Sequence, residues 1–314
     1  MSMKPEVLIV GPLYEPTIET LEREFTTHKL WQAADRETLL ASCAAGVRGI
    51  ATHAFYGADA KLIAALPGLE IISCCTVGYE SVDLDAARKR NIVVTNTPGV
   101  LNDAVADLSI GLVIAAARRI PQGDRYVRDG KWLRAMLPLT QHVSGKRLGI
   151  IGLGRIGRDI ARRALAFDMK IAYHNRRRVS DSPFTYHARL VDLARNSDFL
   201  VAIVPGGSET YHMVNEEVMR ALGPTGILVN VARGSVVDEQ ALVRCLQEGA
   251  LGGAALDVFE DEPKVPAALL AMDNVVLQPH VASATHETRA AMGQLAVDNL
   301  LAHFAGKPAL TPVN

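Results

Sequence analysis

Short apolar runs alternate with stretches of helical periodicity along most of the chain, and this alternation restricts the fold more than any other feature. Between the runs, apolar residues recur at helical spacing, as Leu62, Ile63 and Leu66 do before the breaker Pro67-Gly68. Such alternation predicts βαβ units and parallel sheets covered by helices on both faces. The predicted strands are Val7–Val10, Gly49–Ala51, Leu69–Ser73, Ile92–Thr95, Arg147–Ile151, Lys170–His174, Phe199–Val204, Gly226–Val231, Gly253–Asp257 and Val275–Leu277.

Length and composition fit a globular protein of two domains. At about 150 residues per domain, 314 residues suggest two. A net charge of −1 argues against a nucleic-acid surface and against an electrostatic membrane anchor. No apolar run approaches the roughly 18 residues that span a bilayer. The N-terminal run Val7–Val10 is too short for a signal peptide. We therefore expect a cytoplasmic protein with no nucleic-acid or membrane partner.

Neither a disulfide framework nor a metal site is expected. The cysteines include no C-x-x-C pair, so buried, small apolar side chains are the favoured interpretation for Cys43, Cys74, Cys75 and Cys245. His280 and His286 are a close pair of histidines, but no further ligand residues accompany them.

The segment 100–142 has the character of an interface. Leu108–Ala117 is apolar nearly all round, which predicts a helix buried on every side, between domains or against another subunit. Arg118–His142 then shows little periodicity and contains Trp132. It is either an arm that packs on a partner or an ordinary surface loop. The arm is favoured, and with it a homodimer through residues 100–142.

A glycine-rich turn predicts a dinucleotide site. The apolar strand Leu148–Ile151 leads directly into Gly152-Leu-Gly154-Arg-Ile-Gly157, and helical periodicity follows. Gly152 would make the tight turn, Gly154 would let the backbone approach the pyrophosphate, and Gly157 would allow close packing of helix on strand. The helix N-terminus would offer N–H groups to the phosphates.

The residues after the next strand favour NADP(H) over NAD(H). An NAD site would place an acidic residue there to bind the ribose 2′-hydroxyl. This chain has Asn175, followed by Arg176 and Arg177. Asparagine removes the repulsion of a 2′-phosphate, and guanidinium groups bind phosphate in bidentate fashion. The alternative is that these arginines form only a solvated loop.

Three later stretches have polar residues just after apolar strands: Asn230–Gly234, Leu256–Pro263 and Gln278–His280. In open α/β sheets, ligands bind beyond the carboxyl ends of the strands, so these groups can converge. Reducing a carbonyl with hydride requires a proton donor, for which His280 is the candidate. Arg233 would bind and polarise the substrate, and Glu262 would fix the tautomer of His280 and favour its protonated form.

These stretches resemble the D-isomer-specific 2-hydroxyacid dehydrogenases. The resemblance covers essentially the whole chain and is closest to the glyoxylate/hydroxypyruvate reductase and hydroxyphenylpyruvate reductase branch. The matching segments are Thr76–Asp83, Asn102–Asp107, Gly145–Gly157, Asn230–Gly234, Asp257–Pro263 and Pro279–Thr285.

The resemblance implies a fold and roles for particular residues. Residues 1–97 with 284–314 would form a flavodoxin-like substrate domain, residues 98–283 a Rossmann-like dinucleotide domain, and the active site would lie in the cleft between them. The catalytic residues would be Arg233, Glu262 and His280. Besides Arg233 and His280, the substrate carboxylate would meet backbone N–H groups at Val77 and Gly78. The cofactor would contact Val105, Gly152, Gly154, Arg155, Ile156, Gly157, Asn175, Arg176, Arg177, Val204, Ala232, Asp257 and Ala282.

The chain also departs from the family pattern. Val204-Pro-Gly-Gly207 replaces a more usual Pro-Leu-Thr-Pro stretch, and Ala282 stands where many members have glycine. Phe55 and Tyr56 either line the substrate pocket or pack in the core. His53 could contact a ligand and Trp132 could cap the site of a neighbouring subunit, although ordinary structural roles are favoured for both.

The expected function is NADPH-dependent reduction of small 2-oxo acids, such as glyoxylate or hydroxypyruvate, to D-2-hydroxy acids. One alternative is a family dehydrogenase that acts on another donor: phosphoglycerate, formate or phosphite. Another is a dinucleotide-sensing binding protein of the same fold, which can keep the whole triad.

Overall fold

The computed structural model describes residues 4–314, which divide into two compact units. Unit 1 contains the described residues up to Leu101 together with Ala284–Asn314, and unit 2 is Asn102–Ser283. Among the helices described, none has the length and apolar character that crossing a membrane requires.

Unit 1 is built on a five-stranded parallel sheet in the order β2-β1-β3-β4-β5. This is the flavodoxin-like order. The strands are β1 (Glu6–Ile9), β2 (Thr26–Lys29), β3 (Val47–Thr52), β4 (Ile71–Cys74) and β5 (Val93–Thr95). The helices are α1 (Glu15–Glu24), α2 (Arg36–Cys43), α3 (Ala60–Ala65), α4 (Leu84–Lys89) and, from the end of the chain, α12 (His286–Phe304).

Unit 2 is built on a seven-stranded parallel sheet in the order β12-β11-β10-β9-β6-β7-β8. The order reverses between β6 and β9, as in doubly wound dinucleotide-binding sheets. The strands are β6 (Arg147–Ile151), β7 (Lys170–His174), β8 (Thr185–Tyr186), β9 (Phe199–Ala202), β10 (Ile227–Asn230), β11 (Gly253–Leu256) and β12 (Val275–Leu277). The helices are α5 (Asn102–Arg118), α6 (Ile120–Arg128), α7 (Arg155–Leu165), α8 (Leu190–Arg195), α9 (Glu216–Leu222), α10 (Glu239–Gln247) and α11 (Ala267–Leu270).

The central strands are apolar because helices cover both faces of each sheet. Every residue of β4, β9, β10 and β11 is buried. Parallel sheets of this kind therefore appear in the sequence as continuous apolar runs rather than alternating ones. The predicted α/β class and all ten predicted strands are confirmed, with ends that differ by at most two residues. The four cysteines are free and buried, as expected.

The segment after residue 100 corrects one expectation, and it shows how much of α5 a single chain buries. Arg118–His142 is not irregular throughout, because it contains α6 and a 3-10 turn at Lys131–Leu133. The preceding helix α5 is not buried on every side of the single chain: Val105, Ala106 and Val113 are buried, whereas Leu108, Ile114, Ala115 and Ala116 are only half-buried. Part of the apolar surface of α5 is therefore left accessible to solvent in the single chain.

The C-terminal tail is fastened to the sheet of unit 1 by two asparagines. The buried Asn299 accepts hydrogen bonds from the N–H groups of Leu310 and Thr311, at 2.9 and 3.0 Å, and donates to Leu295 O and Thr311 Oγ1. Asn314 then accepts from Val94 N–H at 2.8 Å. The tail thereby covers the edge of β5.

We expect Asn299→Ala to loosen this tail. The substitution leaves two N–H groups without their acceptor, which costs about 2 to 3 kcal/mol and corresponds to roughly 30- to 150-fold faster amide exchange. Native-state hydrogen exchange of residues 305–314, read by mass spectrometry, measures it. Gln294→Ala is the matched control, because this exposed amide on the same helix bonds only to Asp298. Equal protection in both variants would contradict the assigned role of Asn299.

Candidate active site

The turn after β6 requires glycine at two positions. Gly152 has φ +103°, and a Cβ there would lie 2.4 Å from the carbonyl oxygen of Ile203. A Cβ at Gly157 would lie 2.1 Å from the oxygen of Gly152. The first glycine therefore makes the turn next to β9, and the second lets α7 pack directly on that turn, as the sequence predicts.

The N-terminus of α7 fits a bound pyrophosphate. Gly154 is its N-cap and supplies no side-chain hydrogen bond, so the N–H groups of the first turn have no such cap. A Cβ on Gly154 would meet nothing within 4 Å, so the approach to this helix end is open. Arg155 is exposed and Ile156 is half-buried in this first turn. Free N–H groups and a positive helix end are the donor set that phosphates favour.

The other expected cofactor residues follow the carboxyl ends of neighbouring strands. Val204 lies just beyond β9 and packs against Gly152, where its Cγ1 would be 2.8 Å from an added Cβ. Ala232 follows β10, Asp257 follows β11, and Ala282 lies in the loop after β12. All three are buried. Val105 is buried on α5.

Asn175 and Arg176 have partners that the sequence did not indicate. Leu153 N–H donates to Asn175 Oδ1 at 2.6 Å, which ties the end of β7 to the glycine-rich turn. Arg176 forms an ion pair with Glu209, and their side chains are 80% and 71% exposed. Exposed pairs contribute little to stability, so this arginine can change partner at low cost. Arg177 is exposed and has no acidic partner among residues 4–314.

His280 and Glu262 form the predicted pair. His280 Nδ1 donates to Glu262 Oε2 at 2.7 Å, and the N–H of Phe259 donates to Glu262 Oε1 at 3.0 Å. Burial alone would raise the pKa of Glu262, but these hydrogen bonds and the charges of His280 and Arg233 outweigh it and lower that pKa. Glu262 is therefore a carboxylate at neutral pH, and it fixes the proton of the neutral imidazole on Nδ1.

Asp257 anchors the loop that carries His280. Its fully buried carboxylate accepts from the N–H groups of Val281 at 2.8 Å and Ala282 at 3.0 Å. Its carbonyl oxygen accepts from the N–H of His280 at 2.7 Å. His280 has φ +54°, a conformation uncommon for residues other than glycine, and these bonds on both sides hold it there.

Close backbone packing joins the Arg233 loop to the Glu262 loop. A Cβ on Gly234 would lie 1.9 Å from the carbonyl of Phe259, so no other residue fits between the two loops. Asn230 donates to Arg233 O at 3.0 Å and accepts from Ala232 N–H at 3.1 Å, which fixes the turn after β10. The Asn230–Gly234 motif thus fixes the backbone position from which the Arg233 side chain extends.

Sequence reasoning missed one supporting residue, Glu239 at the start of α10. Glu239 Oε1 accepts from the N–H of Glu260 at 3.0 Å and so braces the loop between Phe259 and Glu262. Burial raises the pKa of Glu239. Only its acidic type in the first turn of a helix was visible in the sequence, and that pattern is ordinary.

In unit 1, the loop after β4 presents free N–H groups. Thr76 donates to Gly78 O at 2.7 Å and Asn96 donates to Val77 O at 2.8 Å, so the carbonyl groups of this loop have partners. The N–H groups of Val77 and Gly78 donate to no acceptor in the part of the chain described. Such paired donors suit a carboxylate.

Phe55 and Tyr56 are not core residues. Their side chains are 57% and 47% exposed and line a cavity of unit 1 together with His53. Trp132, in unit 2, is 61% exposed. No group of His, Cys, Asp and Glu that could hold a metal ion occurs within residues 4–314.

Comparison with known proteins identifies the family. The family model for the D-isomer specific 2-hydroxyacid dehydrogenase NAD-binding domain matches residues 110–282. The chain is 49% identical over 307 residues to glyoxylate/hydroxypyruvate reductase A of Arabidopsis thaliana, and 50% identical over 307 residues to hydroxyphenylpyruvate reductase of Plectranthus scutellarioides. Both alignments cover 98% of each protein.

A solved relative has the same fold. The NADPH-dependent glyoxylate/hydroxypyruvate reductase of Sinorhizobium meliloti, in complex with NADP and malonate, superposes with a TM-score of 0.92 at 47% identity. The match covers 99% of this chain and 97% of the relative. The chain therefore belongs to the D-isomer specific 2-hydroxyacid dehydrogenases, a family of oxidoreductases, in the glyoxylate/hydroxypyruvate reductase branch.

Proposed function

We propose that this protein reduces small 2-oxo acids, such as glyoxylate or hydroxypyruvate, to D-2-hydroxy acids, with NADPH as the preferred reductant. The observation that carries the proposal is the 2.7 Å hydrogen bond between His280 Nδ1 and Glu262 Oε2, in a unit that also contains the dinucleotide turn. The names of the relatives, which are reductases of glyoxylate, hydroxypyruvate and hydroxyphenylpyruvate, support the same chemistry.

The proposed roles follow from the donors and charges at each residue. A bound nicotinamide would supply the hydride for C2 of the substrate. In its imidazolium form, with Nδ1–H held by Glu262, His280 would give the Nε2 proton to the carbonyl oxygen as the alkoxide forms, and would be left as the neutral ring with its proton on Nδ1. Arg233 would bind the carboxylate and polarise the carbonyl, and the N–H groups of Val77 and Gly78 would hold the same carboxylate.

We propose that two parts of the chain bind the two reactants. Residues 1–97 with 284–314 would bind substrate, and residues 98–283 would bind the dinucleotide through the residues described above. The cytoplasmic location stays a prediction from the sequence.

Activity with His280→Asn is the first test. We expect wild-type protein to oxidise NADPH with glyoxylate or hydroxypyruvate, and the variant to lose about 100- to 10,000-fold in kcat because the proton donor is gone. NADPH binding, followed by fluorescence, should change little. His28→Asn is the matched control, since His28 forms another histidine–glutamate pair, with Glu6 of β1 at 2.8 Å.

Two outcomes would redirect the assignment. If wild-type protein binds NADPH tightly but reduces no 2-oxo acid, a dinucleotide-sensing protein or a dehydrogenase of phosphoglycerate, formate or phosphite becomes the better account. Full turnover by His280→Asn would remove His280 from the role of acid.

The surroundings of Asn175 support a preference for NADPH. An acidic residue at this position would repel a 2′-phosphate, whereas Asn175 is neutral and already bonded to Leu153 N–H. Arg176 and Arg177 stand next to it with exposed guanidinium groups. The weak pair between Arg176 and Glu209 can be exchanged for a phosphate dianion, which has the higher charge.

Asn175→Asp should therefore reverse the preference. Aspartate keeps an acceptor for Leu153 N–H, so the change adds charge with little loss of structure. We expect the ratio of kcat/KM for NADPH to that for NADH to fall by at least about 100-fold, because like charges in contact cost several kcal/mol. Gln247→Glu, an exposed residue of α10, adds the same charge elsewhere as the control. An unchanged ratio would refute the role of Asn175.

We also propose a homodimer through residues 100–142. The half-buried face of α5 and the exposed apolar side chains that follow it support this assembly, since large exposed apolar patches mark interfaces. Leu133 and Leu139 are 92% and 99% exposed, and further exposed apolar residues of the segment are Ile120, Val127, Trp132 and Met136.

The double variant Leu133→Asp, Leu139→Asp should be monomeric by light scattering coupled to size exclusion. Carboxylates at the centre of an apolar interface would remain buried and unpaired, which disfavours association. Leu270→Asp is the control, because Leu270 is also exposed, at 64%, but lies on α11 outside the segment. A monomeric wild-type protein would contradict the proposal outright.

A further inference from the structure

Unit 1 contains a cavity of about 260 Å³ whose chemistry the proposed roles do not use. Its walls come from the loop after β1, the loop after β3 and the first turns of α12. Leu13, Phe55 and Tyr56 supply apolar and aromatic surface, while His53, Cys75 and Arg289 supply polar groups. An arginine in a small, partly aromatic cavity raises the question of what balances its charge.

Within the described residues, no carboxylate lies within ion-pair distance of Arg289. Its Nη1 donates to His53 Nε2 at 3.1 Å, and burial lowers the pKa of its guanidinium. Cys75 is the one group whose charge would stabilise Arg289, but burial raises the pKa of that thiol to about 12. The thiol is therefore neutral at pH 7, and the guanidinium carries an uncompensated positive charge.

His53 orients this guanidinium rather than neutralising it. The imidazole stacks on Phe55, with ring centroids 5.1 Å apart and planes 19° apart, and accepts the arginine hydrogen bond through Nε2. An imidazole is neutral or positive, so it provides no negative charge. Its contact occupies one N–H of the guanidinium fork and leaves other N–H groups for a ligand.

Two other partly buried arginines have oxygen acceptors within the protein. The Arg163 side chain, 19% exposed, pairs with Asp103 at 2.7 Å and Asp107 at 2.5 Å. Arg90 donates to three backbone carbonyl oxygens within residues 63–67. Charges removed from water are normally paired, because desolvation is otherwise too costly. Among residues 4–314, Arg289 has neither a carboxylate nor a carbonyl acceptor, which favours a ligand as its partner.

We propose that Arg289, oriented by His53, is a binding site for a carboxylate group of a small organic acid. A single planar guanidinium beside a neutral ring matches a monoanionic carboxylate in charge and shape, whereas phosphate sites combine more cations or N–H groups. The aromatic walls suit the carbon chain that carries it. The carboxylate belongs either to a separate acid or to the far end of the substrate, an assignment that rests on the proposed function.

Calorimetric titration of the full-length protein with malonate tests the site without turnover. We expect the Kd to rise about 10- to 100-fold in Arg289→Gln, the usual effect of losing a hydrogen-bonded charge, and less in Arg289→Lys. Arg23→Gln, an exposed residue of α1, removes the same charge from unit 1 and should leave the Kd unchanged.

Two kinetic measurements identify the molecule that carries the carboxylate. Oxaloacetate and pyruvate differ only by a carboxylate on C3, so a site for the far end of the substrate predicts a selective effect. In Arg289→Gln, kcat/KM for oxaloacetate should fall about 10- to 100-fold while that for pyruvate changes less than about threefold. If the site binds a separate acid, Arg289→Gln should change kcat/KM equally for oxaloacetate and pyruvate. Malonate should then change the rate of pyruvate reduction without competing with pyruvate.

Unchanged malonate affinity in a folded Arg289→Gln protein would overturn the proposal. If that variant does not fold, Arg289→Lys decides the matter, because loss of the planar fork should still weaken malonate at least about threefold. Failure to reduce any 2-oxo acid would remove the proposed function, and the malonate titration would still test this site by itself.

Discussion

The buried carboxylate of Asp257 is the interaction on which the catalytic part of unit 2 depends. A carboxylate away from water is costly unless its oxygens accept hydrogen bonds, and here the N–H groups of Val281 and Ala282 supply them. These bonds fix the loop after β12 and hold His280 at φ +54°. The position of His280, and hence the bond of its imidazole to Glu262, therefore depends on the backbone hydrogen bonds that Asp257 makes.

The predictable part of the fold is the part that burial dictates. Strands with every residue buried, such as β9 and β10, appear in the sequence as unbroken apolar runs and were predicted. The edge strands β2 and β8, with sequences Thr-Thr-His-Lys and Thr-Tyr, lack a buried face and were missed. Helix α6 was also missed, because its apolar side chains Ile120 and Val127 are exposed in the single chain.

The site shows the same division between local and distant signals. The glycine turn and the stretches around Arg233, Glu262 and His280 were visible because each is a compact motif just after a strand. The brace from Glu239 to the N–H of Glu260 and the pair of Arg176 with Glu209 were not, because no local pattern specifies them. Arg289 and His53 are 236 residues apart, and only the fold of unit 1 brings them together.

The two arginines that we propose as carboxylate-binding groups, Arg233 and Arg289, differ in the negative charge that the protein places beside them. Arg233 lies close enough to Glu262 for its charge to lower the pKa of that carboxyl, so part of its field already acts on a protein anion. Among residues 4–314, Arg289 has an imidazole and a neutral thiol beside it and no carboxylate within ion-pair distance. A protein stays folded with an unpaired buried charge when its other interactions outweigh the free energy of desolvating that charge. An anion that binds to the charge offsets this desolvation free energy. Anion binding should therefore stabilise unit 1 more than its contact area alone would suggest.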